Sequence, residues 1–259
     1  KVGMDPVLII KTGTTFSGTR ETFGDFEDWI LHGMSCSGLN ARVVNVRLGE
    51  SVPEGGISGV VIAGAHAMVT DQEPWSERLA PWIRRWIDNR TPLLGICFGH
   101  QLVAHAMGGR VGEHPRGPEI GTIRISIRPE AATDFLFGDQ PSEFSAHVTH
   151  WQTVLRLPAG AVCLAESDIE PHHAFRIGPC AWGVQFHPEF CEDVMRAYVD
   201  AQAVAMAARG LDAAAVRAGV RPTPDSAGLL NRFYKFARFR GERSADRRSC
   251  RMVSLPQST

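Results

Sequence analysis

The sequence predicts an α/β protein built on a mainly parallel central sheet flanked by helices. Two observations predict it. Strand-like and helix-like segments alternate four times in the first 110 residues, as crossovers between parallel strands require. The strand candidates are also near-continuous apolar runs, such as "ISGVVIAG" (57–64) and "TPLLGIC" (91–97), as expected of strands covered on both faces. A chain of 259 residues suits such a domain and can bury a substantial core.

Taken in order, Val7-Leu8-Ile9-Ile10 is a first β run, followed by the turn-rich "KTGTTFSGTR". Phe26, Trp29, Ile30 and Gly33 recur at helical spacing, and "ARVVNV" (41–46) is the next strand. Trp75, Leu79, Trp82, Ile83, Trp86 and Ile87 fall on one face of an amphipathic helix about four turns long. Strand 91–97 then leads into a helix over 99–107. Beyond Gly108-Gly109 the pattern becomes a small antiparallel extension. "IGTIRISI" (120–127) alternates, "EFSAHV" (143–148) and "AVCLAES" (161–167) are short strands, and "HAFRIG" with "CAWGVQF" forms a hairpin around Gly178-Pro179. A long Ala-rich helix is expected over 191–217, and "RPTPDS" (221–226) reads as a linker. Leu229, Leu230, Phe233, Phe236 and Ala237 put an apolar stripe on a terminal helix over about 228–240, with Arg232, Lys235 and Arg238 opposite. Residues from about 241 are polar and expected to be disordered. This divides the chain into a main domain over 1–219 and a C-terminal extension over 220–259.

Composition excludes several function classes. The formal net charge is −1, with 44% hydrophobic and 21% charged residues, so the overall balance recruits neither nucleic acid nor an anionic membrane. No apolar run reaches the length of a membrane span, and no charged-then-apolar leader opens the chain; the reading is a cytoplasmic protein. The cysteines at 36, 97, 163, 180, 191 and 250 form no C-x-x-C pair, so reduced thiols are expected. His100, His105, His114, His172 and His173 have no metal-ligand spacing, so neither metal nor organic cofactor is expected.

One cysteine stands apart. In "PLLGICFGHQLVAHAMGG" (92–109) an apolar strand ends on Cys97, between Gly95 and Gly99, and a helix begins at once. That is the sequence of a nucleophile elbow, with cysteine in the serine place. Glycines on both sides allow close backbone approach, and a helix N-terminus favours thiolate. The plain alternative is a cysteine buried at a strand end. A second motif weighs against it: "WGVQFHPEF" (182–190) ends a strand on His187, with Glu189 two residues on. A thiol nucleophile needs a base within reach, and the base needs an acceptor to fix its tautomer. Cys97, His187 and Glu189 can fill those three roles.

Together these two motifs resemble the class I, triad-type, glutamine amidotransferase family, over roughly residues 7–200. The chain is most similar to the stand-alone subgroup like the amidotransferase of GMP synthase. The resemblance implies a flavodoxin-like fold and hydrolysis of glutamine to glutamate and ammonia through a γ-glutamyl thioester. It assigns Cys97 as nucleophile, His187 as general base and acid, and Glu189 as the orienting carboxylate. Gly64 and Phe98 match the backbone donors of the oxyanion hole. Gln101 matches the glutamine that contacts the substrate's amino-acid end, and Thr149, His150, Trp151 and Gln152 match the substrate-holding segment. Two departures stand out: "AGAHAMVTD" (63–71) puts Ala65-His66 in the oxyanion loop, and Trp151 replaces a usual glycine.

The implied partners are a small molecule, glutamine or another γ-glutamyl compound, and a separate synthase subunit to receive ammonia. No phosphate loop or pyrophosphatase loop occurs in the chain. Neither nucleic acid nor membrane is expected as a partner, and a homo-oligomer is compatible with the sequence. Three rival readings remain: a γ-glutamyl peptidase using the same triad, a non-catalytic module that kept the fold, and a cysteine variant of the α/β-hydrolases. The last expects its acid before the histidine in chain order, and here it follows.

Overall fold

The computed structural model describes residues 5–35 and 38–252, with side chains of the last helix up to Gly241. The N-terminal half contains β1 (Val7–Lys11), α1 (Ser17–Phe23), α2 (Phe26–Gly33), β2 (Ala41–Asn45), β3 (Gly59–Ile62), α3 (Pro74–Glu77), α4 (Ala80–Asp88), β4 (Leu93–Ile96) and α5 (Phe98–Ala106). The remainder contains β5 (Arg110–Glu113), β6 (Glu119–Ile127), β7 (Glu143–His150), β8 (Gln152–Arg156), β9 (Ala161–Glu166), β10 (Ala174–Ile177) and β11 (Ala181–Val184). The chain then closes with α6 (Glu192–Ala207), α7 (Ala213–Ala218) and α8 (Pro224–Met252).

Nine strands form one sheet in the order β2-β1-β3-β4-β11-β10-β9-β6-β7. The pairings β1·β2, β1·β3, β3·β4 and β4·β11 are parallel, and those from β11 to β7 are antiparallel. The predicted parallel core with an antiparallel extension is therefore the observed sheet. β5 and β8 make a separate antiparallel pair.

Several segments differ from the sequence-based expectation. The four-turn helix over 75–87 is two helices, because Pro81 carries no N–H and fits only the first turn of a new one. The Ala-rich helix breaks after Ala207, where Gly210 takes φ +74°, so α6 and α7 are separate. "SGTRETF" within the supposed turn is the short helix α1. The expected linker 221–226 contains the start of α8, whose backbone runs past 240 to Met252. Residues 253–259 of the expected tail lie outside the described residues.

Helix α8 is part of the core. Leu229, Leu230, Phe233 and Tyr234 are fully buried with Ile30, Val61 and Trp182 in one cluster. The Tyr234 hydroxyl accepts from the Asn40 N–H at 2.7 Å, tying the helix to the turn before β2. Phe233→Ala is expected to cost about 3–5 kcal/mol of stability through a buried cavity, read as a lower urea midpoint at unchanged slope.

Candidate active site

The carboxyl ends of β3, β4 and β11 lie side by side in the parallel part of the sheet, where α/β folds place their sites. Gly64, Cys97 and His187 follow these three strands. Cys97 caps α5 with φ 50°, ψ −100°, a backbone region costly for any residue with a side chain. The Cys97 N–H donates to Val184 O at 2.8 Å, locking the elbow to β11.

Three glycines make the elbow sterically feasible. A Cβ on Gly95 would lie 2.5 Å from Gly99 O, and one on Gly99 would run into Ile62 O. Gly95 sits opposite Gly183 in the β4·β11 register, and a Cβ on Gly183 would come within 2.7 Å of His100 Nδ1. The start of α5 thus lies directly on a stripe of bare backbone. Gly183 carried no signal in sequence because its counterpart is eighty-odd residues away. His100 is fully buried between this stripe and Phe175, whose ring centroid is 4.8 Å away. Burial pushes its imidazole well below the usual histidine range, so the elbow is backed by a neutral ring.

His187 and Glu189 are brought together with the thiol. The His187 Nδ1–H donates to Glu189 Oε1 at 2.7 Å, and both side chains are essentially buried. Burial alone would lower the His187 pKa. The charges of Glu189 and Cys97, with the Glu189 hydrogen bond, reverse that and lift it to about 10. In the resting geometry Nε2 has no aligned acceptor, and the Cys97 Sγ faces Thr149 O at 4.0 Å. The His187 ring is held by stacking on Phe190 at 4.2 Å between centroids, while the backbone N–H of His187 donates to His147 O at 2.8 Å.

Gly64 lies against this pair. A Cβ there would be 3.2 Å from His187 Cε1, so any side chain would crowd the imidazole. The Thr12 hydroxyl lies 3.0 Å from Ala63 O and 2.9 Å from Gly64 O, fixing the loop after β3. Phe98 is the first residue of α5, where backbone N–H groups have no acceptor within the helix.

A cavity of about 320 Å³ opens over Cys97 and His187. Gln101, Thr149, His150, Trp151 and Gln152, the residues that the resemblance assigned to the substrate, all line it. Their roles are more specific than sequence could assign. The Gln101 amide donates both ways, to Gln152 O at 2.8 Å and Gln185 Oε1 at 2.9 Å, leaving its oxygen as the free acceptor. The Thr149 hydroxyl accepts from Gln202 Nε2 at 2.8 Å. Trp151 lies under the Arg209 guanidinium at 5.2 Å.

The opposite wall is aromatic and was only partly foreseen. Phe16, Phe26, His66 and Tyr198 line the cavity, with Phe16 and His66 ring centroids 4.2 Å apart. Burial, helped by the nearby His187 charge, lowers the His66 pKa. Tyr198 is anchored by a 2.7 Å bond between its hydroxyl and that of Thr15. Asp25 accepts from the Thr15 N–H at 2.9 Å and pairs with Lys11 at 2.7 Å. Phe16 and Tyr198 stand 182 residues apart with no motif around either, so no sequence signal linked them.

Among the described residues, one group offers the donor set of a metal site: Glu119, His150 and His173, all buried. The spacing of the histidines did not suggest it. His150 Nε2 is hydrogen-bonded to Glu119 Oε2 at 3.1 Å, and His173 Nε2 lies 2.9 Å from the same oxygen. Burial opposes the Glu119 charge, but the two imidazoles hold its carboxyl well below the usual range.

The family description "Glutamine amidotransferase class-I" matches residues 21–204, which contain the elbow, the oxyanion loop and the His-Pro-Glu turn. The chain belongs to the class I glutamine amidotransferase family. Among curated relatives of this chain, gamma-glutamyl peptidase 4 of Arabidopsis thaliana is 32% identical over 186 residues, covering 70% of this chain and 74% of the relative. The glutamine-hydrolyzing GMP synthase of Aeropyrum pernix is 34% identical over 142 residues, or 55% of this chain and 26% of that protein. The match therefore spans only about a quarter of that synthase. A glutamine amidotransferase from Thermotoga maritima superposes with a TM-score of 0.72 at 21% identity, covering 91% of this chain and 98% of that one, which shows the shared fold. Among the described residues, no helix is long and apolar enough to cross a membrane.

Proposed function

We propose that the chain hydrolyses the side-chain amide of glutamine through a thioester on Cys97, releasing glutamate and ammonia to a separate acceptor enzyme in the cytoplasm. The observation that carries this reading is the buried Cys97–His187–Glu189 constellation at the mouth of the cavity. His187 takes the thiol proton, and the sulfur attacks the amide carbon. The N–H groups of Gly64 and Phe98 receive the oxyanion; losing one such donor typically costs about 10²–10³ in rate. The imidazolium, favoured by Glu189, protonates the leaving nitrogen, which departs as ammonia. Water then attacks the thioester, giving its proton to His187, and the thiol is restored. At the substrate's amino-acid end, the free Gln101 oxygen is suited to accept from the α-ammonium.

One observation favours a second reading, hydrolysis of larger γ-glutamyl amides. The wall of Phe16, Phe26, Met68, Tyr198 and Ala205 offers apolar surface that the amide nitrogen of free glutamine has no atoms to fill, whereas a substituted amine leaving group does. The gamma-glutamyl peptidase relative, matched over most of its length, is consistent with that use. Steady-state release measured on glutamine and on γ-glutamyl dipeptides with apolar second residues separates the two. Higher kcat/KM on free glutamine is the expected outcome; a preference of about tenfold or more for the dipeptides, some 1.4 kcal/mol of transition-state binding, establishes the second reading instead.

A further inference from the structure

We infer that Glu119 is a positioning residue for the substrate-holding strand, acting through His150. The inference rests on the reading of the cavity as a γ-glutamyl amide site. Gln152 O is the hub. It receives His150 Nδ1–H at 3.0 Å and the Gln101 amide at 2.8 Å, so two residues that line the cavity are fixed by one carbonyl. His150 cannot hold that carbonyl unless its ring is oriented, and the ring's other nitrogen faces Glu119 Oε2 at 3.1 Å. Both ring nitrogens of His150 are thus turned to protein oxygens, so the ring is fixed from both sides.

Glu119 is itself fixed. Its Oε2 also meets His173 Nε2 at 2.9 Å, and its Oε1 accepts from the Ser167 hydroxyl at 2.9 Å. These residues come from β6, the end of β7, the turn after β9 and the residue before β10, so four segments converge on one buried carboxylate. The same strand is pinned again one residue later, where the Thr153 hydroxyl donates to the buried Glu170, and His172 Nδ1 lies 2.6 Å from Val154 O. The cavity wall at 149–152 is thereby held from behind by charge-assisted bonds, which are stronger than neutral ones and costly to leave half-made. None of Glu119, Ser167 or His173 lines the cavity, so their effect on substrate travels through His150 and Gln152.

The test is the ratio of two labelling rates at Cys97, read by mass spectrometry. A diazo-ketone analogue of glutamine needs the amino-acid end of the pocket; iodoacetamide needs only the thiol and His187. In Glu119→Gln the analogue rate is expected to fall about tenfold or more, as for a buried hydrogen bond to a charged group, with iodoacetamide labelling unchanged and the loss in turnover falling on KM rather than kcat. Ser167→Ala leaves the charges in place and is expected to give a smaller fall in the same ratio; it decides the matter if Glu119→Gln does not fold. A ratio equal to wild type in the folded variants overturns the inference. So does retention of one equivalent of zinc by wild type and its loss in Glu119→Gln, since a metal would then bridge these groups. Wild type that takes iodoacetamide but not the analogue overturns the γ-glutamyl reading itself, and this inference with it.

Discussion

Cys97→Ala is expected to reduce amide hydrolysis by on the order of 10⁴–10⁶ in kcat, because the remaining groups of a triad have nothing to activate. The same position separates chemistry from stability. Cys97 is one of three non-glycine residues with positive φ among the described residues, and it is the one that lines the cavity. Its φ 50°, ψ −100° stores strain of about 1–3 kcal/mol, held by the Cys97–Val184 hydrogen bond and by three glycines that admit no alternative packing. A glycine adopts this conformation freely. Cys97→Gly is therefore expected to be more stable than Cys97→Ala by about 1 kcal/mol, the reverse of the usual order in regular structure. Both variants lose the sulfur, so their difference isolates the backbone. Chemical denaturation of the two proteins, with ammonia release as the activity readout, checks both halves. Equal midpoints would mean that the elbow is unstrained; residual turnover within tenfold of wild type would remove Cys97 from the chemistry.

The elbow and the His-Pro-Glu turn were legible in sequence because each is encoded locally. A strand ending on cysteine between glycines needs only seven consecutive residues, and His187 with Glu189 needs three. Parallel strands then bring the two together, because adjacent strands β4 and β11 end at the same level of the sheet. The antiparallel extension was legible for the same reason, since the hairpin at Gly178-Pro179 is a local signal.

What stayed hidden was encoded by pairs with no sequence relation. β5 and β8 are short, their pairing partner lies about forty residues away, and "RVGE" is half-exposed with little alternation. Helix α1 has no side-chain cap and a Gly/Thr-rich sequence, so its formation owes more to the packing of Phe16 and Phe23 against the core than to propensity. The aromatic wall of the cavity and the Glu119 cluster draw one residue from each of several segments. Such a set has no spacing rule, and only the sheet order places its members side by side.

Glu189→Gln is expected to lower kcat by about 10²–10⁴, the contribution typical of a positioned acid–base group, and to do so with a distinctive pH signature. Burial lowers the His187 pKa and the Glu189 charge is the largest influence raising it, with Cys97 next. Removing that charge lets burial dominate, and the imidazolium needed to protonate the leaving nitrogen is lost. The sign for stability follows from the same shift. His187 is raised from 6.5 to about 10 in the fold, so proton binding contributes fully below about pH 6.5 and is lost as pH rises through about 10. The variant lacks most of this contribution. Wild type should therefore exceed Glu189→Gln in stability by most at and below about pH 6.5, with the gap shrinking as pH rises through neutrality toward 10. Denaturation midpoints of both proteins across that range, alongside single-turnover acylation, give the measurement. A stability gap independent of pH would show that Glu189 acts on His187 by shape alone, because an amide oxygen in its place can accept the Nδ1 proton as well as a carboxylate does but cannot hold the ring's charge.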